Sequence, residues 1–272
     1  MKKFYIFSVV LPALLLAGCK IDNGESFEPG RLGYNMAVNA MAGLHVSVVE
    51  LNMLRHLDEY ISAGDEERVQ IQDRYFYSQR IVERGNNEWN IIGGYSEDMV
   101  VLTGGKSLSE KGTRWEYYYS RYEYETDNLP WVENVTDGEH AKFAVYSRGD
   151  FRYYTSEVVI NAIISCIPHE QTSTDGSIVT REYADIESVA GKRMSACLYY
   201  YFYDDTEFDF TIESTLRYDL EKYMTHYGRL AFSIQIDDTH CTPVAEFKDN
   251  VVTVWGGKDN AYREDYRFYP RY

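Results

Sequence analysis

Two periodicities divide the chain. Between Tyr34 and Ala63 apolar residues recur at three- and four-residue steps: Ala37, Met41, Leu44, Val48 and Leu51 form one stripe, and Met53, Leu54, Leu57 and Ile61 continue a neighbouring one. That spacing predicts one long helix, which Gly64 is placed to stop because glycine tolerates the left-handed conformation at helix ends. Asp65 to Tyr75 predicts a short second helix, with Glu66 and Glu67 in its first turn, although Val69 and Ile71 also alternate as in a strand. From about Phe76 onward the period changes to two. Short alternating runs of Tyr, Val, Ile, Thr and Phe are separated by turn clusters such as Gly85-Asn86-Asn87, Gly93-Gly94, Gly104-Gly105, Gly149-Asp150 and Asp249-Asn250.

Hairpin turns without long helical crossovers imply antiparallel strands in a meander. The expected architecture is therefore mainly β: an N-terminal helix packed on a large antiparallel sheet assembly, either a sandwich or a curved meander. The helical segment covers 34–75 and the β region 76–272. Val100 to Lys106 and Val251 to Lys258 are alike, each a Val-rich run ending in Gly-Gly-Lys before an aromatic segment, which raises the expectation of two duplicated sheet halves.

Composition agrees with a folded chain: 44% hydrophobic and 26% charged residues exclude a disordered, collagen-like or polytopic membrane protein. A chain of this length buries roughly three quarters of its unfolded surface, so it needs no disulfide staple. The net charge is −16 over 272 residues. That sign argues against nucleic acid as a partner and against adsorption to anionic headgroups through a basic patch, since no cationic stripe stands out along the chain.

The first 18 residues have the form of a secretion signal. Lys2 and Lys3 precede an apolar run from Phe4 to Ala17 interrupted by Pro12, which is too short to span a bilayer, and no other stretch of the chain is expected to approach the required length. The run ends in Leu16-Ala17-Gly18-Cys19, which resembles the lipobox of bacterial lipoproteins. The resemblance implies cleavage before Cys19 and acylation of its thiol, so that residues 1–18 are removed and 19–33 form a flexible acidic tether to a membrane. Lys20 at the second position resembles proteins sorted to the outer membrane, and Asp22, Glu25 and Glu28 are similar to the acidic export signals of surface lipoproteins in Bacteroidota. The implied address is the outer membrane, at the cell surface or its periplasmic face.

Tyrosine is the compositional anomaly, with 26 residues clustered at Tyr117-Tyr118-Tyr119, Tyr122 and Tyr124 and at Tyr199-Tyr200-Tyr201 and Tyr203. In a strand neighbours face opposite ways, so Trp115, Tyr117 and Tyr119 share one face and Tyr118 takes the other. Tyrosine suits cross-strand packing, and aromatic faces also stack on sugar rings or fill protein interfaces. Trp89, Trp115, Trp131 and Trp255 are the candidate ligand-binding anchors, with a glycan or an envelope protein as the expected partner.

Motifs for chemistry are sparse. No Gly-x-Ser-x-Gly occurs, and Gly104-Gly105-Lys106-Ser107 lacks the earlier glycine of a phosphate-binding loop, Val100 standing in its place. Asp204, Asp205, Glu207 and Asp209 form an acidic turn without calcium-loop spacing, and Asp237-Asp238 a second. Cys166, Cys197 and Cys241 lie in strand-like contexts without zinc spacing, and His45 and His56 fall on one broad face of the first helix. No catalytic residue, metal or cofactor is nominated. The expected role is non-catalytic binding or structure at the envelope, with a surface glycan-binding lipoprotein and a glycan or peptide hydrolase as rivals.

Overall fold

The computed structural model describes residues 29–93, 98–120, 128–151, 155–172, 177–198, 206–220, 224–236, 239–249, 251–256 and 262–267. Cys19, Tyr122, Tyr124, Tyr199 to Tyr203, Asp204-Asp205 and Asp237-Asp238 lie outside them. Two helices, α1 (Pro29–Ser62) and α2 (Asp65–Tyr75), precede fifteen strands. These are β1 (Arg80–Gly85), β2 (Glu88–Ile92), β3 (Met99–Leu102), β4 (Arg114–Tyr119), β5 (Trp131–Asn134), β6 (Ala141–Phe151), β7 (Thr155–Thr172), β8 (Ile178–Ser188), β9 (Met194–Leu198), β10 (Thr206–Asp219), β11 (Met224–Ile236), β12 (Thr239–Cys241), β13 (Val244–Lys248), β14 (Val251–Gly256) and β15 (Tyr262–Arg267).

The strands make one continuous antiparallel meander, each bonded to its neighbour in the chain, with two broken positions. β8 and β9 both lie between β7 and β10, pairing with different stretches of them. β12 and β13 divide the length of β11 in the same way. Pro243 sits at this second break, where its missing N–H interrupts no ladder while its carbonyl accepts from Phe232 N–H at 2.9 Å. A single path from β1 to β15 is a curved meander, in which β3 and β14, the two similar Val-rich runs, belong to the same sheet near its opposite edges.

The turn chemistry follows the sequence at Gly85-Asn86-Asn87, Gly104-Gly105 and Asp249, all with positive φ. Gly149-Asp150 differs. Both residues fall inside β6, where the register with β7 slips, so the pair marks a bulge in a long strand. A second bent region lies where β10 shifts register against β11 between Ile212 and Tyr218. Gly228 faces it at φ 135°, and a Cβ there would stand 2.7 Å from Leu216 Cα, so only glycine lets the strands come this close.

α1 begins five residues before the periodic stripe predicts, so residues 29–33 leave the expected tether and join the fold. Pro29 suits the first turn of a helix, and Leu32 is buried at 2% exposure. Gly30 and Gly33, which read as linker, are instead places where strands press on the helix: a Cβ on Gly33 would collide with Val254, and one on Gly30 with Glu264 and Tyr266. Tertiary packing here overrides glycine's poor helix propensity.

A helix laid on a flat sheet keeps a broad exposed face. Between residues 30 and 62 only Arg31, Glu59 and Ser62 are exposed. The sheet curls about α1, meeting it with β14 and β15 near its N-terminus (Gly33 against Val254, the Tyr34 ring stacked 4.7 Å from Tyr266), with β7 and β10 in its middle (Gly43 against Val158, His45 bonded to Tyr218) and with β2 near its end (Tyr60 edge-on to Trp89). Ala37, Met41, Leu44, Val48 and Leu51 are all buried, as their spacing requires. By length and composition α1 could also cross a bilayer, a property that its interrupting polar residues hide from a count of consecutive apolar positions. In this fold His45, Glu50, Arg55 and Asp58 among them are bonded to the sheet or its loops.

Candidate functional site

The carboxylates of α1 interrupt its apolar faces, and each has a partner waiting. Asp58, 8% exposed, accepts from Ser107 Oγ at 2.8 Å and from the N–H groups of Leu108 and Ser109 at 3.0 Å each. The loop that follows Gly104-Gly105 therefore directs its amides to a carboxylate of the protein's own helix. Asn134 holds the other side of this loop, donating to the carbonyls of Leu108 and Ser109 at 2.9 and 3.0 Å. Trp115 Nε1 donates to Lys106 O at 2.9 Å, fixing its near end.

Two clefts flank the clamped loop. The larger, of about 460 Å³, has Leu108 and Phe143 in its lining, with Arg55, Glu59, Lys111 and Glu139 as charged groups. The smaller, of about 280 Å³, lies between Trp89, Trp115, Glu83, Asn87 and Lys106. Arg55 runs along the larger cleft to reach Glu182 on β8 in a two-pronged pair at 2.6 and 3.0 Å, with its guanidinium 5.9 Å from the Phe143 ring centre. Burial works against the charge of Arg55, but the Glu182 hydrogen bonds and the neighbouring Cys166 and carboxylates outweigh it and raise the pKa.

Deeper along α1, Glu50 is 3% exposed and accepts from Tyr117 Oη at 2.8 Å, Tyr119 Oη at 2.9 Å and Ser147 Oγ at 3.2 Å. Burial raises its pKa, and the three hydroxyls offset this only in part. His45, hydrogen-bonded to Tyr218, is lowered to about 4 by burial. His56 stacks on Tyr75 with ring centres 3.5 Å apart and bonds Glu59, so both histidines of α1 serve packing. Cys166 and Cys197 are buried, and burial pushes the Cys166 thiol up to about 12.

The four tryptophans divide by face. Trp89 and Trp115 point inward, at 8% and 1% exposure, so they wall the smaller cleft from within the core and offer no outward stacking face. Trp131 on β5 and Trp255 on β14 take the outer face and are partly buried. Arg114 lies 4.4 Å from the centre of Trp131, and Arg229 and Arg263 lie 5.3 and 5.6 Å from that of Trp255. Seven strand steps separate these two, about 34 Å along the sheet at the usual spacing, so the four do not form one platform.

Trp115, Tyr117 and Tyr119 share the inner face as the alternation predicts, and Tyr118 is partly exposed on the other. Glu207 and Asp209, expected in an acidic turn, instead lie on β10 and pair with Arg193 at 3.1 and 2.6 Å. Among the described residues no three His, Cys, Asp or Glu side chains converge as metal ligands. Sequence reasoning overlooked Glu50 and Asp58. Their signal is a carboxylate set among helix positions that are otherwise apolar, Val48-Val49-Glu50-Leu51 and Leu57-Asp58.

No known protein family, no curated protein and no solved structure matches the chain.

Proposed function

We propose that the chain is a lipid-anchored envelope protein of the outer membrane whose folded domain has a non-catalytic binding or structural role. Leu16-Ala17-Gly18-Cys19, closing a short apolar leader, supports the anchor. The observation that carries the role is how α1 is held: Glu50, Arg55 and Asp58 each bond to the sheet or its loops, so the interior polar groups serve as fastenings of a scaffold. In the sequence α1 begins at Pro29, shortly after Cys19. An anchor at Cys19 thereby holds the core of the domain, and its outer sheet face is left to meet partners.

Metabolic labelling with an alkyne-bearing palmitate tests the anchor. The wild-type protein is expected to take the label and partition into detergent, and Cys19→Ala to lose both; an unlabelled wild-type protein rejects the anchor. Protease shaving of intact cells then places the domain, since loss of the band puts it outside the cell and survival until the outer membrane is opened puts it in the periplasm.

A further inference from the structure

On the outer face of the sheet one row crosses five adjacent strand positions. Arg217 on β10 stands opposite Tyr227 on β11, Tyr227 opposite Lys248 on β13, Lys248 opposite Val251 on β14, and Val251 opposite Arg267 on β15. With strands about 4.8 Å apart, a cation recurs about every 10 Å with an apolar group between each pair. Tyr227 and Val251, at 44% and 39% exposure, are two of the five large hydrophobic residues exposed among those described. Lys248 and Arg267 are exposed as well.

The cation at the head of the row is prepositioned. Asp185, opposite it on β8, grips Arg217 at 2.7 and 2.6 Å, offsetting its charge and fixing its guanidinium 5.2 Å from the Tyr227 ring centre, so the attraction for an anion falls chiefly on Lys248. Of the carboxylates one row away, Glu246 pairs with Arg229 at 3.1 Å and Asp265 accepts from the neutral Thr253 hydroxyl at 2.7 Å. A chain of net charge −16 gains nothing in solubility from a row of cations.

We propose that this row is a docking surface for an acidic polysaccharide, its carboxylates or sulfates meeting the cations and its ring faces lying on Tyr227 and Val251. Regular alternation along a line suits a chain of repeating anionic units better than a compact solute. The inference rests on the reading of the domain as an envelope binding module and gives that module a ligand class. The anchor is tested through Cys19 and this surface through Lys248, so either can fail without the other.

The test is affinity electrophoresis of the full mature protein in detergent, through gels containing polygalacturonate, dextran sulfate or uncharged dextran. Retardation is expected with at least one polyanion and not with dextran, weakening as salt is raised. Lys248→Glu should weaken it about tenfold and Tyr227→Ala severalfold, while Lys192→Glu, an identical charge change on an exposed turn outside the row, should leave it nearly unchanged. Both row positions are exposed, and matching thermal melts confirm that the variants fold. No retardation by either polyanion overturns the proposal, as does equal retardation by dextran or equal weakening by Lys192→Glu. Lys248-dependent binding to phosphatidylglycerol vesicles without polysaccharide retardation would also overturn it, assigning the row to a lipid surface.

Discussion

Tyr117 Oη donates a 2.8 Å hydrogen bond to Glu50 Oε2 where neither residue reaches solvent, joining the middle of α1 to the inner face of β4. Tyr119 and Ser147 complete the site with two more hydroxyls, so only neutral donors hydrogen-bond this buried carboxyl. Burial raises the Glu50 pKa and drives that of Tyr117 well above its ordinary value. The network secures α1 and makes its security depend on a proton.

The pH dependence follows in sign. Because the folded pKa of Glu50 is raised, its contribution to stability is fully present below the ordinary carboxyl value and is lost as pH rises through the folded one. Thermal melts of wild type and Glu50→Gln across a pH series should show the variant gaining on the wild type as pH rises. Parallel curves would mean that Glu50 titrates alike in both states.

His45 acts at the opposite end of the range. Its pKa falls to about 4 in the fold against 6.5 unfolded, so its contribution is present above 6.5 and lost as pH falls towards 4. His45→Gln should flatten the acid limb of the stability curve while leaving the alkaline limb to Glu50. Proton NMR of the imidazole provides the direct check, and a His45 titration near 6.5 in the native protein contradicts it.

Asp58→Ala removes the acceptor for the Leu108 and Ser109 amides and the Ser107 hydroxyl. A loss of about 2–3 kcal/mol is expected by chemical denaturation, because partly buried donors are left unpaired. Amide exchange in 107–109 should quicken more than exchange in β7. Uniform quickening would show that the clamp is not local.

Gly43→Ala sets two effects against each other. Alanine favours a helix over glycine by about 1 kcal/mol, but the added Cβ would collide with Val158 and press towards Ile160. Overpacking costs about 1–3 kcal/mol, so a net loss of stability is expected. Gly64 does not take the left-handed conformation expected of a helix stop but an extended one at φ −75°, as the N-cap of α2, so Gly64→Ser meets open space at a position without a side-chain cap and should be neutral to stabilising by a few tenths of a kcal/mol. A stabilised Gly43→Ala would mean that α1 and β7 can separate slightly without penalty.

Much of this fold is legible along the chain because it rests on local periodicity. The three- and four-residue steps from Ala37 to Leu51 mark a helix face, and alternation with Asn/Gly turns marks hairpins, since these patterns reflect 3.6 and 2 residues per repeat. The site was far less legible. Trp89 and Trp115 share residue type with Trp131 and Trp255, and only the direction of each strand's pleat decides which pair is inside. Asp58 and Ser107 stand 49 residues apart, a pairing for which no spacing rule exists.

The sequence by itself determined a long amphipathic helix, an antiparallel meander and an acidic surface, each a consequence of neighbouring residues and of composition. Only the tertiary structure decided that the sheet curls about the helix, that Gly30 and Gly33 belong to that helix, and that Arg217, Tyr227, Lys248, Val251 and Arg267 form one line. The reason is register. Which residues stand opposite across strands depends on bulges and broken strands such as those at Gly149, Leu216 and Pro243, and a shift of one residue reverses every side chain.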